Sequence, residues 1–124
     1  MNDSTVLNYD KEADILYIQF APGEQATAAV ELNDNILLRF NRAEKRAIGL
    51  TLNDFSALVQ PTLFGPRSFP LSGLQELEPD WQELVIELVT QPPVNQFLRL
   101  SAYAPTYVEM VPIAAVEKPT FAPA

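Results

Sequence analysis

Short apolar runs broken by polar turns fill the first 52 residues. Val6 to Tyr9 reads as a strand, Asp10-Lys11-Glu12-Ala13-Asp14 as a tight turn, and Ile15 to Phe20 as the clearest strand. Period-two alternation puts Leu16, Ile18 and Phe20 on one face of that strand and Ile15, Tyr17 and Gln19 on the other. Apolar residues on both faces predict an interior position. Ala21-Pro22-Gly23-Glu24 is turn chemistry, followed by an alanine-rich strand from Thr27 to Leu32 and a second turn at Asn33-Asp34-Asn35. Ile36 to Phe40, a charged hairpin loop from Asn41 to Arg46, and Ala47 to Leu52 complete the series. Gly49 inside the last strand predicts a bulge or a close backbone approach.

The periodicity changes after Leu52. Asn53-Asp54 is placed to cap a short helical turn over Phe55 to Val59. Residues 60–73 contain three prolines and two glycines and read as a surface loop. Glu78-Pro79-Asp80 then marks a helix start, with proline near the first helical position and acidic groups at the positive end of the helix dipole. Leu77, Trp81, Leu84, Val85 and Leu88 make its apolar stripe, and Pro92-Pro93 ends it. Residues 94–113 are open to two readings: strands at Phe97–Tyr103 and Tyr107–Val111, or one more helical turn capped by Asn95.

The fold these patterns predict is α+β: an antiparallel β-meander of five or more strands with one amphipathic helix, about residues 79–90, packed on the sheet. A single domain is expected over 1–124, comprising the meander (8–52), a loop–helix extension (53–113) and an irregular tail (114–124).

Composition narrows the function. At 124 residues, 48% of them hydrophobic, the chain is long enough to bury a core. Eight Lys and Arg face sixteen Asp and Glu, a net charge of -8, which repels a phosphate backbone and argues against nucleic acid as a partner. Cysteine and histidine are both absent, which excludes disulfides, thiolate nucleophiles and histidine-dependent triads or metal sites. The first residues lack the pattern of a secretory leader, and no apolar run reaches membrane-spanning length. The expectation is a cytoplasmic protein, without cofactor or membrane association.

Each candidate for chemistry has a simpler structural account. Asp10, Glu12 and Asp14 are spaced closely enough to hold a divalent cation, but they lack the glycine and distal glutamate of an EF-hand, and turn chemistry explains them. Glu31 with Asp34, or Asp14 with Glu31, is a formal acid–base pair with nothing to indicate a cleft. Ser56, Ser68, Ser72 and Ser101 have no histidine to activate them, and Lys45 and Lys118 lie in polar surroundings. Gly23, Gly49, Gly65 and Gly73 form no phosphate-binding loop. Arg39, Arg42, Lys45 and Arg46 form one basic cluster at a hairpin. Phe64, Phe69, Tyr103, Tyr107 and Phe121 fall in proline-containing segments, where aromatics either cover the core or anchor an interface.

The run Tyr9-Asp10-Lys11-Glu12-Ala13-Asp14-Ile15-Leu16-Tyr17-Ile18 resembles the opening signature of a bacterial family of small proteins, domain of unknown function 2283. Its members read Tyr-Asp, a few polar residues, then Asp-x-Leu-Tyr-Ile. Glu31 to Ile36 matches the middle of that pattern and Ile48-Gly49-Leu50 its last strand, so the resemblance covers about residues 8–52. Thr51 stands where the family commonly has glutamate, and the hairpin from Asn41 to Arg46 lacks the usual glycine. The resemblance implies a compact β-meander in a bacterial cytoplasm and brings no catalytic residues; some relatives look like antitoxins. The expected function is therefore a non-catalytic protein-binding adaptor or assembly factor, open to self-association. Its contact residues are expected to be Phe64, Phe69, Tyr103, Tyr107, Arg42 and Arg46. The alternatives are an acidic antitoxin-like protein that neutralises a small basic toxin, and a carboxylate-dependent metal-binding hydrolase.

Overall fold

Alternation sorts the residues of the first sheet between its two faces. In a computed structural model that describes residues 5–119, the strands are β1 (Val6–Asp10), β2 (Ile15–Gln19), β3 (Ala28–Asn33), β4 (Ile36–Asn41) and β5 (Arg46–Asn53), all paired antiparallel. Leu16 and Ile18, Val30 and Leu32, Ile36, Leu38 and Phe40, and Leu50 and Leu52 turn to one face and are buried. Ile15, Tyr17, Leu37 and Thr51 turn to the other and are partly exposed. The five-stranded α+β reading therefore holds, and β2 lies between two strands as its two-faced pattern predicts.

The strand order is β1-β2-β5-β4-β3, which corrects the simple meander. The run β3–β4–β5 is a meander, and its last strand returns to pair with β2 (Ile18 opposite Leu50). The physical reason lies in β5, which buries Ala47 to Leu50 consecutively and so takes the centre of the sheet. The irregularity expected at Gly49 is present: the register with β4 shifts between Arg39 and Phe40. A Cβ at Gly49 would lie 2.7 Å from the Arg39 Nη2 and 2.8 Å from the Ile18 carbonyl oxygen, so both neighbours use the vacant space.

The second half holds more regular structure than its proline content predicts. Helix α1 (Phe55–Leu58) follows β5, and the segment read as loop contains β6 (Ser68–Pro70) and α2 (Ser72–Gln75). Helix α3 (Pro79–Val89) starts at Pro79 with Asp80 in its first turn and buries Val85, Leu88 and Val89. A 3₁₀ turn at Val94–Gln96 precedes β7 (Leu98–Tyr103), and β8 spans Val111–Val116. Both readings of residues 94–113 are thus partly right, although Pro93 rather than Asn95 opens the turn. The strand expected at Tyr107–Val111 is displaced toward the C-terminus because the Thr106 hydroxyl accepts from the amides of Val108 (3.3 Å) and Glu109 (3.1 Å), which makes that stretch a turn. The irregular tail expected over 114–124 is corrected for residues 114–116, which belong to β8 and bury Ala114 and Val116; residues 120–124 lie outside the described residues.

Strands β6, β8 and β7, in that order, form a second antiparallel sheet. Its Leu98, Ala114 and Val116 join Val85, Leu88 and Val89 of α3 and the inward face of the first sheet in one hydrophobic core. Helix α2 is pressed against the edge of β3, where a Cβ on Gly73 would lie 1.8 Å from the Glu31 carbonyl oxygen.

Candidate functional site

The polar turn between β1 and β2 reaches across the fold to α1. Asp14 adopts a left-handed backbone (φ 57°), which an aspartate tolerates, and its carboxylate bridges Tyr9 of β1 and Ser56 of α1. One oxygen accepts from the Tyr9 hydroxyl at 2.6 Å and from the Ser56 amide at 3.0 Å; the other accepts from the Ser56 hydroxyl at 2.6 Å. The Asp14 carbonyl accepts from the Phe55 amide at 3.0 Å, and the Tyr9 and Phe55 rings meet edge to face at 5.5 Å. Asp54, placed by its position to cap α1, makes no such bond; Asp14 supplies it, from 42 residues away. Asp10 accepts from the Ala13 amide at 3.1 Å and closes the turn. The opening motif is therefore a clamp between the first hairpin and the chain leaving β5.

The clamp has a titration signature. The Ser56 hydroxyl first, and the Tyr9 hydroxyl second, hold the Asp14 carboxyl below its ordinary value, while the bond to Asp14 pushes the Tyr9 hydroxyl above its own. A lowered carboxyl stabilises the fold above its unfolded value, about 3.9, and loses that contribution as pH falls through the native value; a raised phenol contributes below about 10 and loses it as pH rises through the native value. Asp14→Asn is thus expected to lower the urea midpoint at neutral pH, with the gap to the native chain narrowing in acid below pH ~4. A gap independent of pH would contradict the clamp.

Two arginines of the basic hairpin have acidic partners within the chain. Arg46 bonds Glu24 at 3.1 Å and Glu44 at 2.6 Å; Glu24 first and Glu44 second raise its pKa, and the bond to Arg46 lowers that of Glu24. Arg42 lies 4.4 Å from the Trp81 ring centroid and 3.8 Å from Asp80, fastening the end of β4 to α3. Both arginines, expected as partner contacts, thus make contacts within the chain while staying partly exposed.

The topology also sorts the carboxylates. Asp14 and Glu31 are three strand spacings apart, about 14 Å, and do not converge. Glu31 and Asp34 do share a groove, of about 460 Å³, with Glu76 and Ser72 between β3 and α2. Among the described residues no group of three or more Asp or Glu side chains is arranged to hold a metal ion.

The aromatic candidates divide. Phe69, on β6 opposite Ala114, is half-buried against the core, unlike the fully exposed contact residue expected. Phe64 is 98% exposed, beside Leu63, at a turn closed by Thr62 and Gly65. Tyr103, the last residue of β7, is exposed, as are Tyr107, Val108 and Met110 in the β7–β8 connection. Phe121 lies outside the described residues. Met110 also lines a second groove of about 520 Å³, walled by Leu74, Gln82, Ile86, Leu100 and Pro112. Ile86, Val108 and Met110 escaped the sequence reading; the apolar residue outside the helix stripe and the pair flanking Glu109 were the available signals.

The Tyr9–Asp14–Ser56 clamp matters for kinship because all three residues lie within one matched stretch. Residues 7–56 match the family described as Protein of unknown function (DUF2283). The resemblance carried by Tyr9 to Ile18 holds, and it extends beyond Leu52 to the residue that completes the clamp. Searches of curated proteins and of solved structures found no match. The groove lined by Met110 and the exposed β7–β8 connection lie wholly outside the DUF2283 stretch. No helix among the described residues is long and apolar enough to cross a membrane.

Proposed function

We propose that the chain is a non-catalytic, protein-binding adaptor or assembly factor that uses the β7–β8 connection as its contact surface. One observation carries this reading. Tyr103 at the end of β7, and Tyr107, Val108 and Met110 in the connection that follows it, are 58%, 108%, 91% and 73% exposed. Scattered exposed apolar residues are ordinary, but four within eight residues of chain, with Met110 lining an apolar groove, favour an interaction site. Aromatics and methionine are also enriched where partners meet. The DUF2283 stretch acts as the scaffold, with its clamp and core setting the position of α3 and the small sheet.

Affinity capture from the native host, read by mass spectrometry, tests the proposal. The native chain is expected to retain a specific protein that Tyr107→Ser with Met110→Ser loses by about thirtyfold, the scale of a hot-spot residue. The thermal unfolding of the variant should match the native chain, because both side chains are exposed. A chain that stays monomeric and retains nothing, or a variant that retains as much as the native chain, would overturn it.

A further inference from the structure

We propose that the outer edge of β7 pairs with β7 of a second copy of this chain, antiparallel about a two-fold axis at Ser101, so that two three-stranded sheets become one continuous sheet. This rests on the protein-binding reading above and names one partner of that face.

The edge is free. The strand order β6-β8-β7 leaves β7 outermost. The Glu117 amide donates to the Phe97 carbonyl at 2.8 Å, so the odd-numbered residues of β7 turn their backbone groups toward β8. Antiparallel pairing alternates, so Leu100 and Ala102 turn their amides and carbonyls outward. Ser101, Ala102 and Tyr103 are exposed, and β7 carries neither proline nor lysine to blunt the edge. The other edges are poorer. Helix α2 covers β3 at Gly73, β6 is only three residues long, and β1 ends in the acidic turn from Asp10 to Asp14.

Register favours a copy of the same strand. Paired antiparallel about Ser101, β7 sets Leu100 opposite Ala102 of the second copy, with the amides and carbonyls of both residues bonded. Arg99 falls opposite the second copy's Tyr103 in a non-hydrogen-bonded pair, where side chains stand closest. Arg99 and Tyr103 are both exposed, on the strand face opposite to Leu100. A cation thus meets an aromatic ring and a large side chain meets a small one, each twice by symmetry.

Charge points the same way. A net charge of -8 makes the surface at large repel a copy of itself. Two grooves flank the β7 edge and share Leu100: one of about 520 Å³ with Ile86 and Met110, the other of about 300 Å³ with Val89 and Arg99. Neither is lined by a carboxylate. Carboxylates gather in other grooves, Glu76 beside Glu31 and Asp34, and Glu83 and Glu87 beside Arg42. Arg99 also holds Glu117 at 2.8 Å. Like-charge repulsion is therefore weak where the edge is free, and Leu100 and Ala102 carry the apolar groove of each copy up to the axis.

The intact chain has no cysteine, so single cysteines report the register. Ser101→Cys stands on the axis opposite itself, with α-carbons about 4.5 Å apart and within disulfide reach. Under mild oxidation it is expected to give a covalent dimer about tenfold faster than Gln19→Cys, because pairing raises the effective concentration of its thiol. Gln19 is exposed on the first sheet. Mixed Arg99→Cys and Tyr103→Cys chains should form the hetero-adduct ahead of either homo-adduct. Sedimentation of the native chain should show a monomer–dimer equilibrium that tightens as salt rises, because salt screens the repulsion between two acidic copies. Exchange of the Leu100 and Ala102 amides should slow as protein concentration rises. Ala102→Pro, which removes an outward donor without touching the β8 ladder, should weaken the dimer about tenfold.

A native chain that is monomeric at every concentration, equal crosslinking from positions 101 and 19, or homo-adducts from position 99 that outpace the mixed one would overturn the pairing. Protection of Leu100 and Ala102 that appears only with a host protein bound would give the edge to a different partner and overturn it equally. A monomer that still captures a host protein through Tyr107 and Met110 sinks this inference and leaves the adaptor reading standing. A dimer that captures nothing sinks the adaptor reading and spares the pairing.

Discussion

Gly73→Ala is expected to destabilise the fold by about 3 kcal/mol, the upper range for an overpacked site. Propensity alone predicts the opposite sign, because alanine is favoured over glycine in a helix by about 1 kcal/mol. The clash wins because of what the new methyl group meets. Its nearest neighbours are the Glu31 carbonyl oxygen at 1.8 Å and carbonyl carbon at 3.0 Å, both backbone atoms of β3 that cannot rotate away. Relief requires α2 to lift from the sheet edge, which draws the buried Leu71 and Leu74 with it. A lower urea midpoint, with amide shifts spreading through α2 and β3, is the expected measurement. An unchanged or raised midpoint would mean that α2 is not seated on β3 as described.

Trp81→Ala should cost a similar amount, about 3 kcal/mol, at the low end for removal of a large aromatic, because Trp81 is only partly buried. Its ring meets Phe40 edge to face at 5.9 Å and carries Arg42 at 4.4 Å. The aromatic pair contributes about 1 kcal/mol beyond area burial. The exposed Arg42–Asp80 pair adds little. Arg42→Ala is accordingly the milder change, below about 1 kcal/mol, the scale of an exposed cation–π contact. Trp81 is the chain's one tryptophan, so its fluorescence reports this junction alone. Equal effects of the two substitutions would show that the ring is not the joint between β4 and α3.

The first half of the fold is legible because its information is local. Alternation in Ile15 to Gln19 and Ile36 to Phe40, and the turn residues between them, place each strand to within a residue or two. Strand order is not local: nothing in Ile15 to Phe20 states that its second neighbour is β5 rather than β3. The small sheet was harder still, because Ser68–Pro70 is three residues long and Val111–Val116 contains proline and alanine. Its strands are fixed by what they pair with. The clamp was half visible, since Tyr9 and Asp14 stood out as a motif, but Ser56 carries no signal without the fold. Arg42 and Arg46 looked available because their acidic and aromatic partners lie elsewhere in the chain or on the opposite side of a turn. Tyr103 and Tyr107 were legible as aromatics in a proline-marked stretch, while the packing of Phe69 on the core was not, because strand β6 was not foreseen.

In the proposed function, contact with a partner runs through the β7–β8 connection and not through the DUF2283 sheet. Site-specific photo-crosslinking in the native host tests this most directly, with a benzophenone side chain placed at Tyr107 in one chain and at the exposed Gln19 of β2 in another. A discrete protein adduct at position 107, with none at position 19, is the predicted result. Adducts at position 19 with none at 107 would contradict the account.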